Sequence, residues 1–307
     1  MRTLLFAFHF LILIPCLQAQ VFDGYFEPQK KKENLPRKFV WVEEQKMALK
    51  ETEVTIGEYL FFIEKIVADS STTYSSFFLP SAPCILADFV DLTEKDDSVE
   101  RSIPWFDQQA FHKRYSYSAK DQYTIYDKPI TGLSYEQASG YADWCTSYFN
   151  SYNTMEGIDA TLSFRLPSPS EFERFATLGM TKCYEKKKAE DRENTIKQLR
   201  ECKNEKKCAL CNYANKEICE SNTMLTSKFG NALYPVGVFF PNCFGGMDLQ
   251  GNAAEMTSEK GIAKGGSYIH PASECLPEAV QNYTEPQPWL GFRLRVMVVK
   301  ASSLREF

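Results

Sequence analysis

The chain has 307 residues, of which 44% are hydrophobic and 14% aromatic, so it can bury a substantial core. Its net charge of −5 is small and charges of both signs are mixed along the chain, which excludes the basic stripe of a nucleic-acid-binding surface. We therefore expect no nucleic-acid partner.

Residues 1–19 have the pattern of an export signal peptide. Arg2 precedes an apolar run over residues 4–14, and Ala19 ends a cleavage-site pattern. The run is shorter than the about 20 apolar residues that a membrane-spanning helix needs. Cys16 offers lipidation as a second way of processing this segment, and only then do we expect contact with a membrane. The expected location is periplasmic, outer-membrane-associated or secreted.

A tether and the start of one folded domain follow the signal. Residues 20–38 combine two prolines with a charged run and little apolar periodicity, which is typical of a tether. We predict a single domain over residues 39–300. Its first four residues, 39–42, predict a strand, and the aromatic positions between Tyr59 and Ile66 predict a helix with one aromatic face.

Two further helices are expected before residue 181. The spacing of apolar residues predicts a helix over residues 134–148, with Ser134 as its N-terminal cap. Another helix should begin near Ser168 or Ser170, because Glu171 would then lie in its first turn.

An insertion at about residues 181–221 is dense in charges of both signs, which favours a solvated helix. The chain has ten cysteines, and five of them lie in this insertion: Cys183, Cys202, Cys208, Cys211 and Cys219. Export favours disulfides between these cysteines, because they persist in oxidising compartments. The sequence does not determine which cysteines pair. The alternative is a zinc site, since Cys208 and Cys211 have the spacing that lets two sulfurs reach one metal.

Seven segments, in order, resemble the formylglycine-generating enzyme (sulfatase-modifying factor) family. They are residues 53–55, 129–131 with 141–144, 164–168 with 171–173, 234–242, 245–255, 264–268 and 291–293. The resemblance extends from Trp41 to Arg295 and implies a single α+β domain of C-type-lectin-like fold, low in regular secondary structure. Within it, we expect Arg165 to anchor a loop by pairing with a carboxylate or backbone carbonyls.

The resemblance also implies a calcium site. In this family the segment that matches residues 248–255 usually holds calcium, and here Asp248 and Glu255 would supply carboxylates. The carbonyls of Gly251 and Ala253 would complete the all-oxygen shell that calcium prefers. The alternative is that both acids only cap turns.

The oxidases of the family carry two cysteines five positions apart after a Gly-Gly-Ser sequence, and these bind copper(I) as thiolates. Here residues 265–267 are Gly-Gly-Ser, and His270 and Cys275 occupy the two positions. The aromatic residues expected near Ala254 and Met256, and the basic residues after Cys275, are missing as well. We therefore expect no catalytic residues and no copper, although His270 and Cys275 could hold copper or zinc weakly.

Three functions follow from these observations. The first is a non-catalytic structural or binding component of a bacterial cell envelope with envelope-protein partners, because ring components of type IX secretion and gliding machinery are similar proteins without the cysteine pair. The second is a divergent metal-dependent oxidase of protein or peptide thiols that uses His270 and Cys275. The third is carbohydrate binding through calcium and Trp289, unless Trp289 belongs to the core. An iron enzyme of this superfamily needs three histidines, and only His112 and His270 follow the signal.

Overall fold

The computed structural model describes residues 36, 38–42, 47–69, 127–181, 188–203, 209–214, 232–239 and 241–300. The export signal with Cys16, most of the tether, His112, Cys183, Cys208 and Cys219 lie outside these residues.

Four α-helices, one short 3-10 helix and eight strands are present in the described part of the chain. The helices are α1 (Ile56–Asp69), α2 (Tyr135–Met155), α3 (Pro169–Thr181), α4 (Ala189–Glu201) and the 3-10 helix Ala272–Cys275. The strands are β1 (Phe39–Val42), β2 (Met47–Lys50), β3 (Thr161–Arg165), β4 (Ala254–Met256), β5 (Ile262–Lys264), β6 (Gln281–Asn282), β7 (Leu290–Phe292) and β8 (Arg295–Lys300).

The strands form two small sheets of four strands each. The first has the order β1-β2-β8-β3, so the last strand of the domain lies between two of the earliest ones. Its pairs are antiparallel, with Ala48 opposite Val296 and Phe164 also opposite Val296. The second sheet has the order β6-β5-β4-β7, in which β4 and β7 are parallel. The central strand β8 therefore joins the two ends of the domain.

Helices α1 and α2 pack through their aromatic faces. Phe62 lies 5.1 Å from the Trp144 ring and Tyr59 lies 5.5 Å from the Tyr141 ring, measured between ring centroids. Each large aromatic side chain buries a large apolar area, so such residues dominate the stabilisation of a core. The predicted aromatic helix is therefore confirmed as one wall of the main core.

Helix α2 also covers the exposed edge of the first sheet. Asn150 donates to the carbonyl of Leu162 and accepts from its N–H, at 2.9 and 2.8 Å, so it pairs with β3 as a neighbouring strand would. The hydroxyl of Thr146 accepts from the N–H of Phe164 at 2.9 Å. These side chains satisfy backbone groups that an edge strand otherwise leaves open.

The predicted helix caps are present. Ser134 and Gln137 exchange side-chain and backbone hydrogen bonds in a capping box at the start of α2. Ser168 and Glu171 make the same exchange at the start of α3, with distances of 3.2 and 2.7 Å. Helix α2 continues to Met155, seven residues beyond the predicted end.

The insertion contributes α4 and a disulfide between Cys202 and Cys211. This pairing engages Cys211, so the zinc alternative through Cys208 and Cys211 is wrong. Cys243 is disulfide-bonded as well, whereas Cys145 and Cys275 are free and buried. Among the described helices, none is long and apolar enough to cross a membrane.

One expectation is corrected. Arg165 lies on the exposed face of β3, and among the described residues its guanidinium donates to the sulfur of Met297, at 3.4 Å. The arginine that anchors loops is instead Arg293, which is fully buried. The local pattern around Arg165 alternates as a strand does, and its outward register explains why it anchors no loop.

Candidate functional site

His270 lies two residues before the 3-10 helix that follows β5, and Cys275 is the last residue of that helix. The Cys275 side chain is fully buried, and its thiol donates weakly to the carbonyls of Ser267 and His270, at 3.9 and 4.0 Å. His270 is half-buried, and its Nδ1 lies 2.7 Å from the Ser267 hydroxyl. The two positions are thus neighbours, but the thiol faces backbone carbonyls.

The protonation states disfavour thiolate chemistry. Burial, with a contribution from the charge of Glu274, raises the pKa of the Cys275 thiol to about 12. Burial also lowers the pKa of His270, against the opposing charge of Glu274. At neutral pH this site therefore holds a neutral thiol and a neutral imidazole, whereas metal binding and nucleophilic exchange require the thiolate.

Two features of the surrounding chain close over Cys275. Gly266 has a φ of +63°, and a Cβ there would meet the Cys275 sulfur and the Glu274 carbonyl at 2.7 Å. Cys275 also belongs to one buried cluster with the insertion's Cys202 and Cys211. The disulfide of the insertion therefore packs in the same small core as this thiol.

The stretch after Cys275 is tied to the rest of the domain by basic residues from elsewhere in the chain. Glu278 accepts a hydrogen bond from Arg200 of α4. Its carbonyl accepts from the buried Lys264 at 3.0 Å, and Lys264 also pairs with Glu173 at 3.2 Å. The insertion thus reaches the segment where the family's oxidases have basic residues of their own.

Trp289 partly belongs to the core. It is partly buried against the main aromatic core, and the edge of its ring meets the His270 ring at 4.9 Å. Trp289 therefore supports the position of His270.

Glu255 is fully committed to an ion pair. Arg293 donates through Nε and Nη2 to its two oxygens, at 2.5 and 2.6 Å. The same guanidinium donates to the carbonyls of Lys50, Glu51 and Met247, at 3.2, 3.1 and 3.0 Å. Arg293 thus connects three separate segments, because a guanidinium offers five donors in a fixed plane.

Two further acids are buried near this pair with incomplete hydrogen bonding. Asp248 accepts from the N–H of Gly237 through Oδ2, and in the described part of the chain its Oδ1 has no partner. Glu53 accepts from Asn252 at 3.0 Å through Oε1, and its Oε2 likewise has none there. The nearby Lys50 forms its ion pair with a different acid, Glu58, at 3.0 Å.

The pKa of each acid reflects this crowding. Burial raises the pKa of Asp248 to about 6, against the opposing effects of the Gly237 N–H and the Arg293 charge. Burial and the charges of Asp248 and Glu255 raise the pKa of Glu53 well above its ordinary range. The pKa of Glu255 is also raised by burial, although Arg293 opposes the shift.

Asn252 holds the segment in place. It adopts a left-handed backbone with φ +62°, and its side chain bonds Glu53, Tyr234 and Asn212. The backbone is equally close: a Cβ on Gly251 would lie 2.3 Å from the Asn212 carbonyl, so only glycine fits. This asparagine therefore joins the first strands, the insertion and the loop before β4.

The residues fit calcium only in part. Glu255 does not fit, because both of its oxygens accept from Arg293. Asp248 does fit, because its Oδ1 is a buried acceptor in need of a donor or cation. Over the described ranges, no group of three His, Cys, Asp or Glu side chains is arranged to hold a metal. A calcium site at Asp248 with the carbonyls of Gly251 and Ala253 stays a prediction.

The α+β architecture, with short sheets and long ordered loops, is that of a single C-type-lectin-like domain. The sulfatase-modifying factor enzyme 1-like domain matches residues 18–298 of this chain. The chain therefore belongs to that family, as its sequence motifs predicted.

Similar solved structures include PvdO from Pseudomonas aeruginosa, which is 16% identical with a TM-score of 0.47, over 82% of this chain and 80% of that one. Treponema denticola variable protein 1 is 15% identical with a TM-score of 0.43, over 88% and 90%. CarF is 15% identical with a TM-score of 0.43, over 90% and 93%. No curated protein matches the sequence.

Proposed function

We propose that this chain is a non-catalytic binding or structural component of a bacterial cell envelope. The observation that carries the proposal is the burial of Cys275, the one remaining cysteine at the family's catalytic positions. Its thiol is fully buried, faces two carbonyls and shares a buried cluster with the insertion's disulfide. A substrate thiol cannot exchange with a sulfur that it cannot reach.

The second position strengthens this proposal. The Nδ1 of His270 makes a hydrogen bond with the Ser267 hydroxyl, and its ring packs against Trp289. These two contacts hold the side chain in place. A copper(I) site of the oxidase type uses two soft thiolates, and this arrangement supplies one imidazole and one protonated thiol. The chain therefore keeps the fold of the family, but its sequence lacks the reactive cysteine pair.

The envelope location rests on the export pattern of residues 1–19 and on the use of disulfides. Disulfides persist in oxidising compartments, and this chain has one between Cys202 and Cys211. We further propose envelope proteins as partners, with the type IX secretion and gliding machinery as the first system to examine. Cell fractionation with intact-mass measurement of the mature protein tests the location: a cytoplasmic protein that retains residues 1–19 would contradict it.

A peptide-oxidation assay tests the absence of catalysis. A sulfatase-type cysteine peptide is incubated with the protein, copper and oxygen, and aldehyde is measured by mass spectrometry. We expect the same background for the natural protein and for Cys275→Ala. Aldehyde above the Cys275→Ala level would instead establish the divergent oxidase of protein or peptide thiols.

A further inference from the structure

Glu53 and Asp248 are two buried acids that each keep one oxygen without a partner. Glu53 is fully buried and Asp248 is 4% exposed. The Oε2 of Glu53 and the Oδ1 of Asp248 make no hydrogen bond in the described residues. Their other oxygens accept from Asn252 and from the N–H of Gly237. A buried acceptor of this kind costs free energy unless a donor or a cation completes it.

The fold holds the two acids in neighbouring segments. The N–H of Met247, next to Asp248 in the chain, donates to the carbonyl of Glu51 at 2.7 Å. Glu51 lies two residues before Glu53, whose Oε1 accepts from the Asn252 side chain at 3.0 Å. After burial, the charge of Asp248 is the largest cause that raises the pKa of Glu53. These observations bring the two carboxyl groups into one buried site.

This buried site carries more negative than positive charge. Arg293 pairs with both oxygens of Glu255, so these two residues neutralise each other. The nearby lysine of β2 pairs with a different acid. In the part of the chain that the structure describes, neither Glu53 nor Asp248 forms an ion pair. When both are ionised, one divalent cation would compensate the two charges, whereas a monovalent cation would compensate only one.

We propose that Glu53 and Asp248 together bind one buried calcium ion, with Glu53 as its second carboxylate in place of Glu255. Carboxylates are hard ligands, which favour calcium or magnesium over copper or zinc. Magnesium usually keeps several waters, so two fully desolvated acids favour calcium. The predicted calcium segment, residues 248–255, did not include this ligand, because Glu53 lies near the start of the domain.

The inference is independent of the proposed loss of catalysis. Neither His270 nor Cys275 takes part in it, and the acids belong to the core of the domain rather than to the insertion. It makes Glu53 a metal ligand, whereas the calcium prediction for Asp248 alone requires nothing of Glu53. A variant of Glu53 therefore separates the two.

Equilibrium dialysis with calcium tests the inference on the full mature protein, freed of metal by a chelator. Glu53→Gln keeps the oxygen that accepts from Asn252 and removes one charge. We expect its calcium affinity to be lower by at least about tenfold, because calcium affinity depends on the number of charged ligands. Glu259→Gln, at an exposed position outside the site, is the matched control and should bind calcium as the natural protein does.

Thermal melting with and without calcium separates a ligand from a residue that only supports the fold. Without calcium, Glu53→Gln should melt at or above the natural protein, because it removes an uncompensated buried charge. With saturating calcium the order should reverse, since an ion bound to the native state stabilises it. Equal calcium affinity in folded Glu53→Gln and the natural protein would overturn the inference and leave Asp248 without Glu53. So would a Glu53→Gln variant that is unfolded without calcium, or a natural protein whose melting does not respond to calcium.

Discussion

Replacing Arg293 by methionine should come close to unfolding the protein. Arg293 is fully buried and donates to both oxygens of Glu255 and to three carbonyls. Removing one partner of a buried ion pair typically costs about 3–5 kcal/mol, because the other charge stays buried without compensation. The three carbonyls add about 1 kcal/mol each.

The expected loss of about 6–8 kcal/mol is therefore a large share of the total stability of a domain, which is about 5–15 kcal/mol. Urea unfolding followed by circular dichroism measures the loss. Arg165→Met is the matched control, since Arg165 is exposed and its guanidinium donates to the sulfur of Met297, and we expect a change within about 0.5 kcal/mol.

A double-mutant cycle separates the ion pair from the carbonyl contacts. Glu255→Gln in the Arg293→Met background removes the orphaned charge, so the double variant should be more stable than Arg293→Met alone by about 2 kcal/mol. If Arg293→Met costs no more than Arg165→Met, the assignment of Arg293 as the central anchor of the domain is wrong.

Three further predictions concern the insertion and the buried acids. Reduction of Cys202–Cys211 removes about 2–3 kcal/mol of restraint for a loop of this size, so limited proteolysis should cleave the insertion while the core persists; native intact mass with all insertion thiols free would contradict this. Calcium bound at Asp248 should raise the melting temperature with calcium concentration, and identical melting curves with calcium and with chelator would exclude the site. The pKa of Asp248 is raised from its ordinary 3.8 to about 6, so the folded state holds the proton more tightly and stability falls as pH rises through this interval. Relative to Asp248→Asn, the natural protein should lose up to about 3 kcal/mol between about pH 4 and pH 7, and a parallel pair of stability curves would refute the shift.

The sequence predicted much of the fold because its signals are local. Serine caps at Ser134 and Ser168 depend on residues three positions away, and the aromatic face of α1 follows helical spacing. The length of α2 was underestimated, since side chains such as Asn150 extend the helix by bonding β3 rather than by packing apolar surface.

The candidate site was predicted in position but not in its contacts. His270 and Cys275 were found by their spacing, whereas the buried cluster of Cys275 with Cys211 joins residues that are 64 positions apart in the sequence. The family resemblance assigned Glu255 to calcium, and it did not show the ion pair with Arg293, which lies 38 positions away. Arg293 and Asn252 lie within the motifs that carry the family resemblance. The sequence alone could not show that Arg293 would be buried near three acids.

Copper(I) titration of the purified mature protein under anaerobic conditions tests the central claim most directly, with Cys275→Ala as the matched control. The buried, protonated thiol of Cys275 predicts that the two proteins bind copper alike. One tight equivalent of copper in the natural protein that is lost in Cys275→Ala would contradict the claim that the family's reactive site has been replaced by a structural one.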